Sequence, residues 1–406
     1  MENVAPDPLL HRIDPLACMP EVDLVSSLPG AGPRLFQKRG RDRPVKIFAA
    51  ALDRTLGDFL TRGIYAAAVK MHYANARLAL YYRDDRPYKR DLVAINPYID
   101  QKIVIAGDRA TPLDVFYPHP DRADIPGTRD FIKIGLADPD IVLTPSMMVV
   151  EDLLRFDRHP IFRIPEDRVS ELSDRLVGLG LDPNRWFCCL FYRQPNYDGR
   201  GATTYRDVDD RPFEALARHI IGDLGGQVVR LGHPGMRSFD IGPGFVDLSR
   251  LKNEFMVQAM AVSRARFMVT TLSGPAHLPG AFDVPYVVTN SLSIWGVWTP
   301  AGMIMPNHLF DATGKRFDIR ELAAMGALNW GSVRHFTKNR GCRLVENSFE
   351  ELRAVTDLLW SRSSDCPSWR PPAPVPMPAP TNRIDFLQPY CRSVTVVEFP
   401  ELWPKS

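Results

Sequence analysis

The stretch Arg266–Asn290, RFMVTTLSGPAHLPGAFDVPYVVTN, decides how the chain is read. Arg266–Thr271 is an apolar run of strand character. Ser273–Phe282 follows as a short helix with a serine in the capping position. Pro285–Asn290 is a second strand. A strand, a sharp turn into a helix and another apolar strand make the repeating unit of a parallel α/β sheet, whose strands are buried on both faces and so carry no polar alternation.

The same rhythm extends outward from this stretch. After residue 185, Trp186–Tyr192 and Gln227–Gly232 read as strands. Asp210–Leu224 reads as an amphipathic helix with Pro212 in its first turn, stopped by Gly225-Gly226. Lys252–Ala265, Asp318–Trp330 and Phe349–Arg362 are further helices. An earlier series holds the strands Val45–Leu52, Ala76–Arg83, Lys102–Ala106, Asp140–Thr144 and Ile161–Ile164, with a helix over Gly57–Tyr73. The fold class is therefore α/β, with two Rossmann-like domains in tandem, facing a cleft and divided near residues 165–185. The working bounds are an arm over 1–44, domains over 45–175 and 176–345, and a C-terminal helix and tail over 346–406.

The chain has 406 residues, of which 37 are proline, well above the typical ~5%. Seven prolines fall in 1–44 and ten in 366–406, so the body itself has ordinary composition. The segment CPSWRPPAPVPMPAP, residues 366–380, reads as extended polyproline-like chain. It is a linker carrying Thr381–Ser406 back to the body, or a ligand for an SH3-type domain.

Charge excludes a global basic field for nucleic acid, because 50 Lys and Arg balance 48 Asp and Glu to leave +2. Forty of the cations are Arg. A GC-rich genome is the first explanation of that bias, and guanidinium groups holding a phosphate are the sharper one. Six cysteines without a C-x-x-C spacing argue against a zinc site or a disulfide framework. No signal peptide and no apolar run of the ~20 residues needed to span a bilayer are visible. The expected location is the cytoplasm, with peripheral association at the inner membrane face as a further option.

Ligands of open α/β sheets bind beyond the carboxyl ends of the strands, and the chemistry-bearing residues cluster there. Leu56-Gly57-Asp58 follows the first strand. Gly57 permits close backbone approach. Asp58 is either a plain helix-start acid favoured by the helix dipole or a general base projecting into the cleft. Ser273 and Gly274 present backbone amides at a helix start, an anion site. His277, one turn on, is a satisfied interdomain histidine or a functional one. Arg193 and Arg206, and Arg230 and His233 of QVVRLGHPG, sit at successive strand ends. Each is a surface cation or a group that neutralises a departing diphosphate. Asn290 closes the last strand of the opening stretch and is grouped with these ligand-binding candidates.

Asp207-Val208-Asp209 and Asp138-Pro139-Asp140 spell D-x-D, a spacing that can hold a divalent ion, but chance matches are common among 48 acids. Tyr81, Tyr82 and Tyr88 among Arg83, Arg86, Lys89 and Arg90 suggest a solvated loop, with an acceptor or membrane surface as the sharper option. A P-loop, a G-x-G-x-x-G turn and a G-x-S-x-G elbow are all missing, which argues against a P-loop kinase, a dinucleotide oxidoreductase and a hydrolase.

LGDFL after the first strand and TLSGPAHLPGAFDVPYVVTN resemble the two-domain GT-B glycosyltransferases. The motifs are similar to those of ADP-heptose:lipopolysaccharide heptosyltransferases. Residues 205–291 resemble more closely a family of uncharacterised bacterial glycosyltransferase-like proteins. The resemblance spans about residues 45–345 and is strong only in the second half. It aligns Asp58 with the family's Gly-Asp acid, Ser273-Gly274 with its Thr-Gly and His277-Leu278 with its His-Leu. Leu272 stands where heptosyltransferases carry an acid, and their lysine near the donor phosphates has no match, so Arg193 is the substitute.

The resemblance implies an inverting transferase for cell-surface or protein glycosylation that needs no metal. On this alignment Asp58 and His277 are the catalytic candidates and Ser273 and Gly274 bind the nucleotide, while Arg193, Arg206, Arg230, His233 and Asn290 are added as nucleotide-binding candidates from their places at the strand ends. The partners are a nucleotide sugar as co-substrate, with no other cofactor, and a glycan, lipid-linked or protein acceptor. Three alternatives stay open: a sugar-nucleotide epimerase of the same shape, a non-catalytic scaffold using the proline-rich arms, and a metal-dependent transferase using Asp207 and Asp209.

Overall fold

The computed structural model describes residues 9–13, 44–53, 55–73, 75–106, 141–143, 148, 153, 156, 158–194, 205–325, 328, 336–338, 340–363 and 394–404. The D-x-D spacing at Asp138–Asp140 and the proline-rich segment 366–380 lie outside these residues. The chain divides into two compact units, with the break between Pro165 and Glu166.

The smaller unit is built on four parallel strands, β2 (Val45–Ala51), β3 (Ala76–Asp84), β4 (Gln101–Ala106) and β5 (Ile141–Leu143), in the spatial order β4-β3-β2-β5. The run Ile47–Ala51 is sealed from water, as its unbroken apolar sequence requires. Helix α1 (Leu56–His72) covers the sheet with Phe59, Leu60, Ile64, Ala67 and Ala68. Its start is fixed by Thr55, whose Oγ1 accepts the Asp58 N–H at 3.3 Å. Helix α2 (Pro87–Ala94) opens on a proline, where the missing N–H is harmless.

Ile161–Ile164, expected to be a strand, is not one: Ile161 is exposed, and Arg163 makes a single backbone bond to Ile95 O. The solvated loop expected around Tyr81–Arg90 is instead the end of β3 and the start of α2. Tyr81, Tyr82 and Arg83 are buried there, and Lys89 is fully enclosed.

The larger unit opens with α3 (Glu166–Gly178) and continues with β6 (Phe187–Phe191), α4 (Arg211–Gly222), β7 (Gln227–Arg230) and β8 (Phe245–Asp247). Next come α5 (Phe255–Arg264), β9 (Met268–Thr271), the short α6 (Leu278–Ala281), β10 (Tyr286–Thr289) and β11 (Gly302–Met305). The hairpin strands β12 (His308–Phe310) and β13 (Arg343–Val345), α7 (Ile319–Ala324) and α8 (Phe349–Arg362) complete the body. Arg175 of α3 pairs with Glu254 before α5 at 2.9 Å, so α3, expected partly in the first domain, packs with the second.

Two further strands come from the chain's ends, β1 (Leu9–Ile13) and β14 (Val394–Glu398). The sheet order is β1-β14-β11-β10-β9-β6-β7-β8, all parallel except β1. The N-terminal arm is not separate from the body, because residues 9–13 are an edge of its main sheet, and residues 394–398 return to that sheet as the linker reading of the C-terminal segment expects. Phe399 and Val397 enter the same apolar core as Leu216 and Ile220 of α4 and Leu352, Val355 and Leu359 of α8. Burying each such side chain contributes about 1.5–3 kcal/mol. Arg316, bonded to Glu398 Oε1 at 2.9 Å and to His308 Nδ1 at 2.8 Å, adds a polar tie to the C-terminal strand.

Without the two end strands, the larger sheet has the order 3-2-1-4-5-6 counted along the chain, and the smaller has 3-2-1-4. Both are Rossmann-type orders, in which the direction of winding reverses between the first strand and the fourth. Among the described residues no helix is long and apolar enough to cross a membrane.

Candidate functional site

In the larger sheet the winding reverses between β6 and β9. Backbone groups diverge there at the carboxyl edge, which opens a place for a ligand. The two strand ends are stitched together: the Arg193 N–H donates to Thr271 Oγ1 at 3.1 Å, and the Val208 N–H to Arg193 O at 3.0 Å. Arg193 Nε donates to Asp207 Oδ1 at 2.8 Å, with the two side chains 12% and 1% exposed. A carboxylate so buried requires polar partners, and this guanidinium is one. Arg206, half-buried, precedes Asp207.

The D-x-D carboxylates are therefore both engaged by arginines. Asp209 is bonded to Arg211 Nε at 2.8 Å, which holds its carboxyl below the usual range. Among the described residues no group of three His, Cys, Asp or Glu side chains could hold a metal ion.

Arg230 ends β7 and is fully buried. Its guanidinium lies 4.3 Å from the Phe239 ring centroid and 5.0 Å from that of Tyr192. Nη1 donates to Arg237 O at 2.6 Å and stands 3.6 Å from Asp247 Oδ2. The cation is caged under the segment that carries His233, whose Nδ1 is 2.9 Å from Pro234 O. That segment is clamped from outside. Arg237 Nε donates to Asp210 Oδ2 and Nη2 to Glu214 Oε2, both at 2.7 Å, while the Arg237 N–H donates to Gln194 Oε1 at 3.0 Å.

After β9, Ser273 leads into a 3-10 turn, Gly274–His277, and then α6, so the single helix expected over Ser273–Phe282 is two short pieces. Pro275 has no N–H to offer, and the Ala276 N–H is bound to Ser273 O at 3.0 Å. Any amide cradle here rests on Ser273 and Gly274. His277 is buried, which pushes its pKa down to about 4 and leaves the imidazole neutral near pH 7.

Asn290 follows β10 in a left-handed conformation, φ 53°, which Asn tolerates better than most residues. Asn347 holds it reciprocally. The Asn290 N–H donates to Asn347 Oδ1 at 2.8 Å, and the Asn347 N–H donates to Asn290 Oδ1 at 2.6 Å. Sequence reasoning missed Asn347, and 57 residues separate the two. The nearby signal was the capping box at Ser348 and Glu351, which marks a helix start but names no partner across the sheet.

In the smaller unit Asp58 is exposed in the first turn of α1, and its carboxylate accepts the Thr55 hydroxyl at 2.5 Å. Two charges of this unit, Asp53 and Lys89, are buried. Asp53, just past β2, meets Arg62 at 3.3 Å. Lys89 Nζ lies 2.6 Å from Asp85 and 5.2 Å from the Phe59 ring centroid. Burial lowers the Lys89 pKa, and Asp85 partly offsets this.

The structure thus brings Arg193, Asp207 and Thr271 together, holds Arg230 and His233 on the next strand end, and places Asp58 in the other unit.

No protein-family model matches the chain, and no curated protein matches it by sequence. The chain is similar in structure to a glycosyl transferase of family 9 from Veillonella parvula (14% identity, TM-score 0.49), with 80% of this chain and 100% of that one covered. It is similar to the E. coli ADP-heptose lipopolysaccharide heptosyltransferase II (13%, TM-score 0.39), with 71% and 99% covered. It is also similar to a UDP-GlcNAc 2-epimerase from Methanocaldococcus jannaschii (10%, TM-score 0.33), with 78% and 99% covered.

Proposed function

We propose that the chain transfers a sugar from a nucleotide-activated donor to an acceptor hydroxyl. One observation carries this reading. The winding reversal of the 3-2-1-4-5-6 sheet joins Arg193 and Asp207 to the end of β9, from which Ser273, Gly274 and His277 follow. Sheets of this order take nucleotides at that place. The LGD and SGPAHL motifs point the same way.

In this reading the nucleotide diphosphate binds the larger unit. The acceptor oxygen attacks the anomeric carbon, the bond from that carbon to the diphosphate breaks with inversion, and the diphosphate leaves with the electron pair. Arg193 and Arg206 stabilise the charge that develops on it, where fixed donors act more strongly than water does. Asp58 takes the acceptor proton. Neutral His277 acts as a hydrogen-bonding group, because a base with a pKa near 4 takes up little proton at pH 7. The cations supply the charge that a metal supplies elsewhere. The acceptor is a glycan, a lipid-linked saccharide or a protein, and the reaction belongs to the cytoplasm or the inner membrane face.

The test is Asp58→Asn. Transfer should be abolished while nucleotide binding survives, and retained turnover would remove Asp58 as the base. The cap provided by Thr55 survives this change, so the stability loss should stay below about 1 kcal/mol.

A further inference from the structure

The carboxyl edge of the larger sheet is chemically divided. The ends of β6, β7 and β8 carry the charges: Arg193 with Asp207, and Arg230 with Asp247. The ends of β9, β10 and β11 carry neutral polar groups, with the buried His308–Glu351 pair just beyond Asn307, and four of their atoms are buried without a hydrogen-bond partner, as are Arg230 Nε and Nη2 and Asp247 Oδ2 on the charged side. The four are His277 Nδ1, Asn290 Nδ2, Ser293 Oγ and Asn307 Oδ1, on residues 9%, 3%, 1% and 3% exposed.

Asn347 ties Asn290 to the segment of Asn307, Ser293 follows Asn290 by three residues, and His277 follows the end of the adjacent strand β9. Thr271, Thr289 and Met305 end the three strands in register, so the segments that follow start side by side. Asn347 grips Asn290 and donates from Nδ2 to Pro306 O at 2.9 Å, one residue before Asn307. Ser293 is fixed by a turn in which its N–H donates to Ser291 Oγ at 3.1 Å. Buried polar groups are almost always satisfied, and a cluster of exceptions calls for a missing partner. The left-handed Asn290 adds a second sign, because such conformations persist where the surroundings over-determine them and gather at ligand sites.

We infer that His277, Asn290, Ser293 and Asn307 form a subsite for an uncharged, hydroxyl-bearing ring of the ligand, with Asn347 as its positioning residue. This rests on the sugar-nucleotide reading and deepens it. Asn290 Nδ2 is a donor, Asn307 Oδ1 an acceptor, and Ser293 Oγ can be either. Sugar hydroxyls, each donor and acceptor at once, match that mixture. A phosphate, which only accepts, does not. The hydroxyls could belong to the nucleoside ribose or to the transferred sugar.

The test uses Ser293→Ala and Asn290→Asp in the full chain. Asn290→Asp keeps the oxygen that Asn347 uses but turns the donor into an acceptor and brings a negative charge that itself repels a diphosphate, so the neutral Ser293→Ala change decides whether a hydrogen bond is lost. Calorimetry with ADP, GDP, UDP and dTDP, and with a glucose or mannose conjugate of each, should show binding weaker in both variants, and about fivefold weaker in Ser293→Ala, the loss expected of one neutral hydrogen bond. Loss on the conjugate alone assigns the subsite to the transferred sugar. Equal loss on the nucleoside diphosphate assigns it to the ribose. Ser293→Ala carries a second readout of opposite sign. It removes an unsatisfied buried hydroxyl, so the ligand-free protein should melt at the same temperature or higher, whereas a structural serine would lower it. Unchanged affinity in Ser293→Ala, whatever the melting temperature, overturns the subsite. A wild-type chain that binds none of the probes overturns the sugar-nucleotide reading itself, and the subsite with it.

Discussion

Asp207→Ala tests the geometry at the winding reversal, because the pair it breaks is nearly dry. At 2.8 Å and an effective dielectric of about 20, the gross attraction is about 6 kcal/mol. Desolvation of both groups takes back most of that. The measurable quantity is the cost of taking the Asp207 carboxylate away from the largely buried Arg193 guanidinium, about 3–5 kcal/mol. At about 2–4 °C per kcal/mol for a domain of this size, the melting transition of the larger unit should fall by roughly 6–20 °C. Differential scanning calorimetry on Asp207→Ala, Arg193→Ala and the double variant closes the cycle. The double variant should be more stable than the sum of the single losses by above about 1 kcal/mol, since it carries neither charge of the pair. Asp207→Ala melting within about 2 °C of wild type, or strict additivity of the two changes, would refute a buried, energetically coupled pair.

Three further outcomes are expected. The folded-state pKa of His277, about 4 against an ordinary 6.5, means the unfolded chain binds the extra proton between those values. Stability should therefore rise with pH across that window by about 3 kcal/mol, and His277→Leu should flatten denaturation midpoints between pH 4 and 6.5. Phe399→Ala, at the end of the C-terminal strand, should destabilise the larger unit by about 3–5 kcal/mol in urea titrations, whereas a detached tail would show no change. Asn290→Val should cost about 1–3 kcal/mol, because a β-branched residue is strained at φ 53°, and Asn290→Gly should not carry that strain term.

Much of this fold was legible because the central strands are buried on both faces. VKIFAAA, FCCLF, MVTT and YVVT need no alternation, and a continuous apolar run bounded by turn residues identifies them. Strand β14 escaped because its partners are remote. Val396 pairs with Ile304 on one side and His11 on the other, and no local signal reports a contact across the whole chain. Helix α2 escaped because PYKRDLVA is too polar to show an apolar stripe, although Pro87 is a helix-start signal. Ile161–Ile164 differs the other way: the short apolar run reads as a strand, and no described strand pairs with it.

The candidate site was half legible. Strand ends and a Ser-Gly-Pro turn can be read along the chain, and they led to Arg193, Ser273 and His277. The partners that define each group are set by tertiary contact. Asp207 reads as a possible metal ligand until Arg193 is seen against it. Asn347 carries no local mark of its grip on Asn290. Arg230 reads as an exposed cation, and only packing on Tyr192 and Phe239 shows that it is enclosed.

The most direct test of the central claim is calorimetric titration of the intact chain with sugar nucleotides, repeated on Arg193→Ala. The account predicts that at least one sugar nucleotide binds and that Arg193→Ala weakens it by more than roughly 1.5 kcal/mol, about tenfold. Binding that is unchanged in Arg193→Ala, or no binding by any sugar nucleotide, contradicts it.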